Sequence, residues 1–166
     1  MYNLNPTIYL NKRDNTIQLV YYSKALLEFK KNFGLCVGKK DNVEIPKSIL
    51  DSDYILDFIR GLFDTDGCLH FQKKYKEVNY YPRLDITSKS KKLISQTDEI
   101  LRNHGFTTSA CFNNKSIASN GTQCTTHRVF IYGLKNLRRW VELIGFSNPK
   151  NIKKFNEWKK EGHYSL

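Results

Sequence analysis

The sequence predicts an α+β fold: an αββαββα core from Asp53 onward, preceded by a partial ββα unit. Three observations predict it. Ile55, Phe58, Ile59, Leu62 and Phe63 recur at i, i+3, i+4, i+7 and i+8, one apolar helical face. Two pairs of strand-like runs follow, each pair closed by an amphipathic stretch that ends in glycine. Residue n also resembles residue n+111.

The elements follow in order. Residues 7–11 and 16–22 are rich in β-branched and aromatic side chains, and Arg13 to Asn15 between them reads as a turn, giving a hairpin. Leu26, Leu27, Phe29 and Phe33 mark a helix over 25–33, which Gly34 stops. From Cys36 to Ser52 the chain is polar, holds Gly38 and Pro46, and has no sustained period, so it reads as a connection. The helix after Asp53 has Ser52 as its expected N-cap and Gly67 as its stop. Residues 68–76 and 80–88 read as a hairpin, 91–104 as a helix closed by Gly105, and 107–113 with 124–132 as a second hairpin. Lys135 to Ile144 is a further helix followed by glycine, and a basic helix spans about 150–161. The division expected is residues 1–50, a partial N-terminal ββα repeat and linker, and 51–166, a core domain with a C-terminal basic helix.

The repeat aligns Tyr21, Lys24, Leu26, Gly34 and Lys39 with Tyr132, Lys135, Leu137, Gly145 and Lys150. Val20, Phe29 and Phe33 face Ile131, Trp140 and Ile144. A strand followed by an amphipathic helix and a glycine also aligns in this way without common ancestry.

Composition narrows the partner class. Lys and Arg total 27 against 16 Asp and Glu, a formal charge of +11, and a polyanion is the simplest partner for that excess. Cys36, Cys68, Cys111 and Cys124 form no C-x-x-C pair and are not flanked by His70, His104, His127 or His163 at zinc-site spacing. They read as reduced, mostly buried thiols. No apolar run reaches the roughly 20 residues of a membrane-spanning helix, and no secretory signal peptide precedes the fold. A soluble, intracellular protein is expected, cytoplasmic or organellar and not secreted.

The chemistry enters at Phe58 to Gly67, FIRGLFDTDG. Gly61 and Thr65 are small residues at i and i+4, a spacing that lets two helix backbones approach closely. Asp64 and Asp66 lie at the end of that helix. Two such helices packed side by side would bring their terminal carboxylates together, and hard oxygen ligands under mutual repulsion suit Mg²⁺. A two-metal phosphodiesterase site is one outcome of that geometry. An ordinary helix end whose Asp-x-Asp-Gly caps a turn is the other.

Ile59 to Gly67 (IRGLFDTDG) resembles the LAGLIDADG signature of homing endonucleases, and the αββαββα order is similar to the core of that family. Gly61, Leu62, Asp64, Asp66 and Gly67 match; Ile59 and Arg60 replace the leading Leu and the small residue after it. The resemblance implies that Asp66 ligates Mg²⁺ (or Mn²⁺) beside the Gly67 carbonyl, while Gly61, Asp64 and Thr65 belong to the motif-helix interface. It further implies catalytic support from Ser88 and Lys89 in ITSKS and from Lys150 in GFSNPK, with Lys153 as a rival. In this family a curved antiparallel sheet lies in the DNA major groove. Counting from Gly67, that reading places His70, Gln72, Lys74 and Lys76 on the DNA face, joined by Arg83 and Asp85. Leu69, Phe71, Leu84 and Ile86 point into the core.

One departure matters. Single-motif members carry the helix near the N-terminus and form homodimers, whereas here about fifty residues precede it. The chain therefore fits either a homodimer or a protein missing an N-terminal half. Three functions are left open: a site-specific endonuclease on double-stranded DNA; a non-cleaving nucleic-acid binder, such as a DNA-binding regulator or an intron RNA maturase; and a basic module on an RNA partner.

Overall fold

The computed structural model describes residues 5–13, 15–35, 40–117 and 121–165. Asp14 of the expected first turn, Cys36, Gly38 and Lys39 lie outside the described residues. The chain is mixed α and β with antiparallel sheets.

Strands β1 (Thr7–Asn11) and β2 (Thr16–Val20) form a two-stranded sheet. Ile8 pairs with Leu19 and Leu10 with Ile17, so four aliphatic side chains share one face. Helix α1 (Lys24–Asn32) starts where Ser23 accepts the Leu26 N–H at 3.2 Å, and Gly34 follows it at φ +79°. The 111-residue offset joins elements of the same type but unequal packing. Phe29 and Phe33 are 46% and 37% exposed, whereas their counterparts Trp140 and Ile144 are 0% and 3% exposed.

The connection is more ordered than its composition predicts. It holds a short 3₁₀ turn at Lys40–Asn42 and a single helical turn, α2 (Lys47–Leu50), segments too short to show a period. Ile45 is buried and its N–H donates to Gln96 Oε1 at 2.8 Å, while Ser90 Oγ donates to the Val43 carbonyl. Helix α3 (Ile55–Asp66) begins after Tyr54, not at Ser52. The Ser52 hydroxyl instead accepts the Tyr54 N–H and donates to Ile49 O, closing the turn before the helix.

A second sheet has the order β3-β4-β6-β5, with β3 (Gly67–Gln72), β4 (Tyr81–Ser88), β5 (Thr108–Ile117) and β6 (Gln123–Tyr132). Directly paired residues share a face, so register sorts the side chains. Leu69, Leu84, Ile86, Val129 and Ile131 line one face and are at most 1% exposed. Against it pack α3, α4 (Lys91–Asn103) and α5 (Leu134–Leu143), through Ile59, Phe63, Ile94, Leu101, Leu137 and Trp140. Helix α6 (Pro149–Glu161) is held at the β3 edge, where the Trp158 ring stacks on Phe71 at 5.3 Å and its indole N–H donates to Tyr80 O at 2.8 Å.

The opposite face carries Cys68, His70, Gln72, Tyr81, Arg83, Asp85, Thr87, Arg128, Phe130 and Tyr132. This explains the one cysteine expectation that does not hold. Cys68, Cys111 and Cys124 are free thiols, but all three project from this outward face; Cys111 is exposed and the others are half-buried. Between Cys111 and Asn114 β5 carries a bulge, where Asn113 at φ +59° donates its N–H to His127 Nδ1 at 3.2 Å. Among the described residues no helix is long and apolar enough to cross a membrane.

Candidate nucleic-acid interface and the motif-helix end

Helix α3 aims its C-terminal acids because its other side is anchored. Ile59 and Phe63 are fully buried, and the Phe63 ring meets Trp140 at 4.8 Å and Phe146 at 5.7 Å between centroids. The helix passes directly into β3 at Gly67, whose φ of −101° is open to any residue. Glycine is required there by space: a Cβ would lie 2.4 Å from Phe63 Cδ2 and 2.6 Å from Phe63 O.

The unanchored side of α3 faces solvent. Tyr54 is 68% exposed, a Cβ on Gly61 would meet nothing within 4 Å among the described residues, and Thr65 is exposed with its hydroxyl donating back to Gly61 O and Leu62 O at 3.1 Å. Arg60, the departure from the motif's small residue, turns away from this stripe. It donates to the Ile144 carbonyl at 3.2 Å and pairs with Asp57. The Gly61–Thr65 stripe is thus left clear of it.

The two motif acids have different surroundings. Asp66 is exposed at the last position of the helix. Asp64 is half-buried: its Oδ2 accepts the Ser147 N–H at 2.8 Å, its carbonyl accepts Asn148 Nδ2 at 2.9 Å, and Oδ1 is buried without a partner among the described residues. Asn148 in turn caps α6, its Oδ1 accepting the Lys150 N–H at 2.9 Å. This latch fastens the start of α6 to the end of α3. Lys150 is exposed in the first turn of α6. Lys154 lies one turn on, on the same side of the helix, and donates to Leu69 O at 3.0 Å with Cys68 Sγ at 3.8 Å. Lys153, the rival to Lys150, is exposed on α6.

On the outward sheet face, His70 pairs across the ladder with Arg83, and Gln72 with Tyr81. Arg83 Nη2 donates to Asp85 Oδ2 at 3.0 Å, Thr87 Oγ1 to Asp85 Oδ1 at 3.3 Å, and Arg128 Nε to Thr87 Oγ1 at 3.1 Å. Asp85 is 5% exposed, so its carboxylate holds this row together and is not presented at the surface. Arg128 lies outside the first hairpin, and the alternation that selects His70 and Arg83 there selects it in β6, where it pairs with Thr87. Burial lowers the His70 pKa below its ordinary 6.5, helped by Arg83, Lys154 and Arg128 and opposed by Asp85.

Three expectations shift. Lys74 and Lys76 lie beyond the end of β3 and do not continue its alternation. Their ammonium groups sit over tyrosine rings, Lys74 at 4.1 Å from the Tyr81 centroid and Lys76 at 5.2 Å from Tyr80. Ser88 pairs with His127 on the core side of the sheet, and its hydroxyl accepts the Ser90 N–H at 3.1 Å, so Thr87 takes the outward place beside Arg128. Lys89 opens onto a polar cavity of about 310 Å³ that it lines with Asp41, Gln123, Cys124, Thr125 and His127. Among the described residues no three His, Cys, Asp or Glu side chains are grouped to hold a metal ion.

The LAGLIDADG-like domain family matches residues 53–145, spanning α3 to α5 and both hairpins of the larger sheet. This chain belongs to the LAGLIDADG family. The replication factor C small subunit of Methanocaldococcus jannaschii is 29% identical over 154 residues, 93% of this LAGLIDADG chain. The chain spans 8% of the length of that relative. The family match covers Asp64, Asp66, the outward row from His70 to Arg128, and the repeat partner helix α5, but ends before Lys150.

Proposed function

We propose that this chain binds double-stranded DNA along the outward face of β3, β4 and β6 and hydrolyses its phosphodiesters at Asp66, as a homing-type endonuclease. One observation carries the reading most: an exposed Asp66 ends a helix whose Gly61–Thr65 side is unpacked, beside a sheet face bearing His70, Arg83 and Arg128. That face suits a phosphate backbone and base edges, since Arg reads guanine bidentately and Gln72 suits adenine. The curvature expected of the family's sheet would let it follow the major groove.

The donor set fits Mg²⁺ (or Mn²⁺) as half of a site. Asp66 and the Gly67 carbonyl are hard oxygen donors, and a second carboxylate must come from another motif helix, either in a second copy of this chain or in a further repeat. The ion would supply activation of a water and stabilisation of the leaving oxygen. Lys150, latched through Asn148 to the end of α3, would orient solvent around the phosphate, with Lys89 at the neighbouring end of β4 as a weaker candidate.

A second reading rests on the same outward face bearing His70, Arg83 and Arg128, which can bind nucleic acid without a second carboxylate beside Asp66: a DNA-binding regulator or an intron RNA maturase that does not cut. Incubation with a library of duplexes and Mg²⁺ separates the two. Cutting by the parent chain that is lost in Asp66→Asn, with binding kept, is expected. Equal cutting by both removes Asp66 from the mechanism, and binding without cutting by either leaves the non-cleaving reading.

A further inference from the structure

We propose that the tip of the β3–β4 hairpin is a stacking platform for an unpaired base of a nucleic-acid strand, with the Tyr75 ring as the platform. The inference rests on the nucleic-acid-binding reading above and adds a contact that base-edge readout does not require. Tyr75 is 83% exposed at the tip, an unfavourable place for an aromatic ring without a partner. It is flanked by Lys73, Lys74 and Lys76 in the run KKYK. The Lys74 ammonium lies between two rings, 5.2 Å from the Tyr75 centroid and 4.1 Å from that of Tyr81. A cation on one face of Tyr75 ties the ring to the hairpin stem and leaves the other face to solvent. The Lys74 pKa is raised, first by a hydrogen bond to the Tyr81 side chain.

The parts complement a strand with an unstacked base. Lysines attract the phosphates on either side, and a base that is not held in a duplex offers a π face to the ring. A fully paired stack offers no such face except at its ends. From Gly67 to Gln72 the strand has six residues, about 20 Å, before the tip begins. With duplex rise near 3.4 Å per base pair and β3 lying along the duplex axis, the end of the strand is roughly six base pairs from Asp66, and the platform lies beyond that. It would favour targets that are frayed or mispaired there.

The test uses the full chain and two labelled duplexes, one fully paired and one carrying 2-aminopurine opposite an abasic position. The parent chain is expected to bind the second at least about fivefold more tightly and to quench its 2-aminopurine fluorescence. Tyr75→Ala should lose both the preference and the quenching while keeping its affinity for the paired duplex, and Tyr75→Phe should keep both. A parent chain without preference, or a Tyr75→Ala chain that retains it, overturns the platform. Binding to neither duplex overturns the underlying DNA reading and the platform with it.

Discussion

Asp85 and His70 illustrate how a neighbour decides what a polar side chain can do. Alternation places both on the outward face, yet the carboxylate is engaged by Arg83 and Thr87 while the imidazole stays half-buried among cations. Because the folded pKa of His70 is lowered, the unfolded chain takes up this proton first as pH falls. Stability therefore rises with pH through this window: the contribution is free of penalty above about 6.5 and worsens below it. Thermal midpoints of the parent chain and His70→Gln, compared from neutral to mildly acid pH, should diverge, with the variant losing less on acidification. Parallel curves would assign the dependence to another group. Such couplings lie outside what alternation reports, since period two gives a face but not the partner waiting on it.

At the scale of elements, Gly67 couples α3 to β3. In Gly67→Ala the new methyl group collides with the Phe63 ring and, less avoidably, with its carbonyl oxygen. A loss of about 1–3 kcal/mol is expected from such overpacking, read as a lower denaturation midpoint; an unchanged midpoint would show that the junction relaxes freely. The motif helix, both hairpins of the large sheet and the closing helices were legible because each has a clean period, and α4 and α5 are followed by glycines at positive φ, Gly105 and Gly145. The turns at Lys40–Asn42 and Lys47–Leu50 were not, since one helical turn shows no period. The latch from Asp64 through Ser147 and Asn148 to α6 was equally hidden. Its members are more than eighty residues apart, and local pattern carries no information about such pairs. Asp66 and the Gly61–Thr65 stripe were legible from the motif, whereas Arg128 and Lys154 needed the register and the helix docking to emerge.

For the whole molecule, the stripe on α3 offers a clean comparison. Adding a methyl group at Gly61 meets nothing within 4 Å among the described residues, and alanine in a helix interior is favoured over glycine by roughly 0.5–1 kcal/mol. Gly61→Ala should thus raise the thermal midpoint of the isolated chain. If a second motif helix packs there, as the nuclease reading requires, the same change should reduce any DNA-induced dimer seen by sedimentation velocity. A dimer that tolerates it would have to be built on another surface.

Lys154 donating to the Leu69 carbonyl also has a bearing on assembly. In the order β3-β4-β6-β5 the sheet has two borders, and α6 lies along the β3 border with a lysine on one of its carbonyls. That obstructs strand addition there. Any strand exchange, templated misfolding or peptide capture by the large sheet is thereby directed to β5, whose border is broken by the bulge at Asn113. Growth of the sheet is thus discouraged on one side by a helix and on the other by a kink.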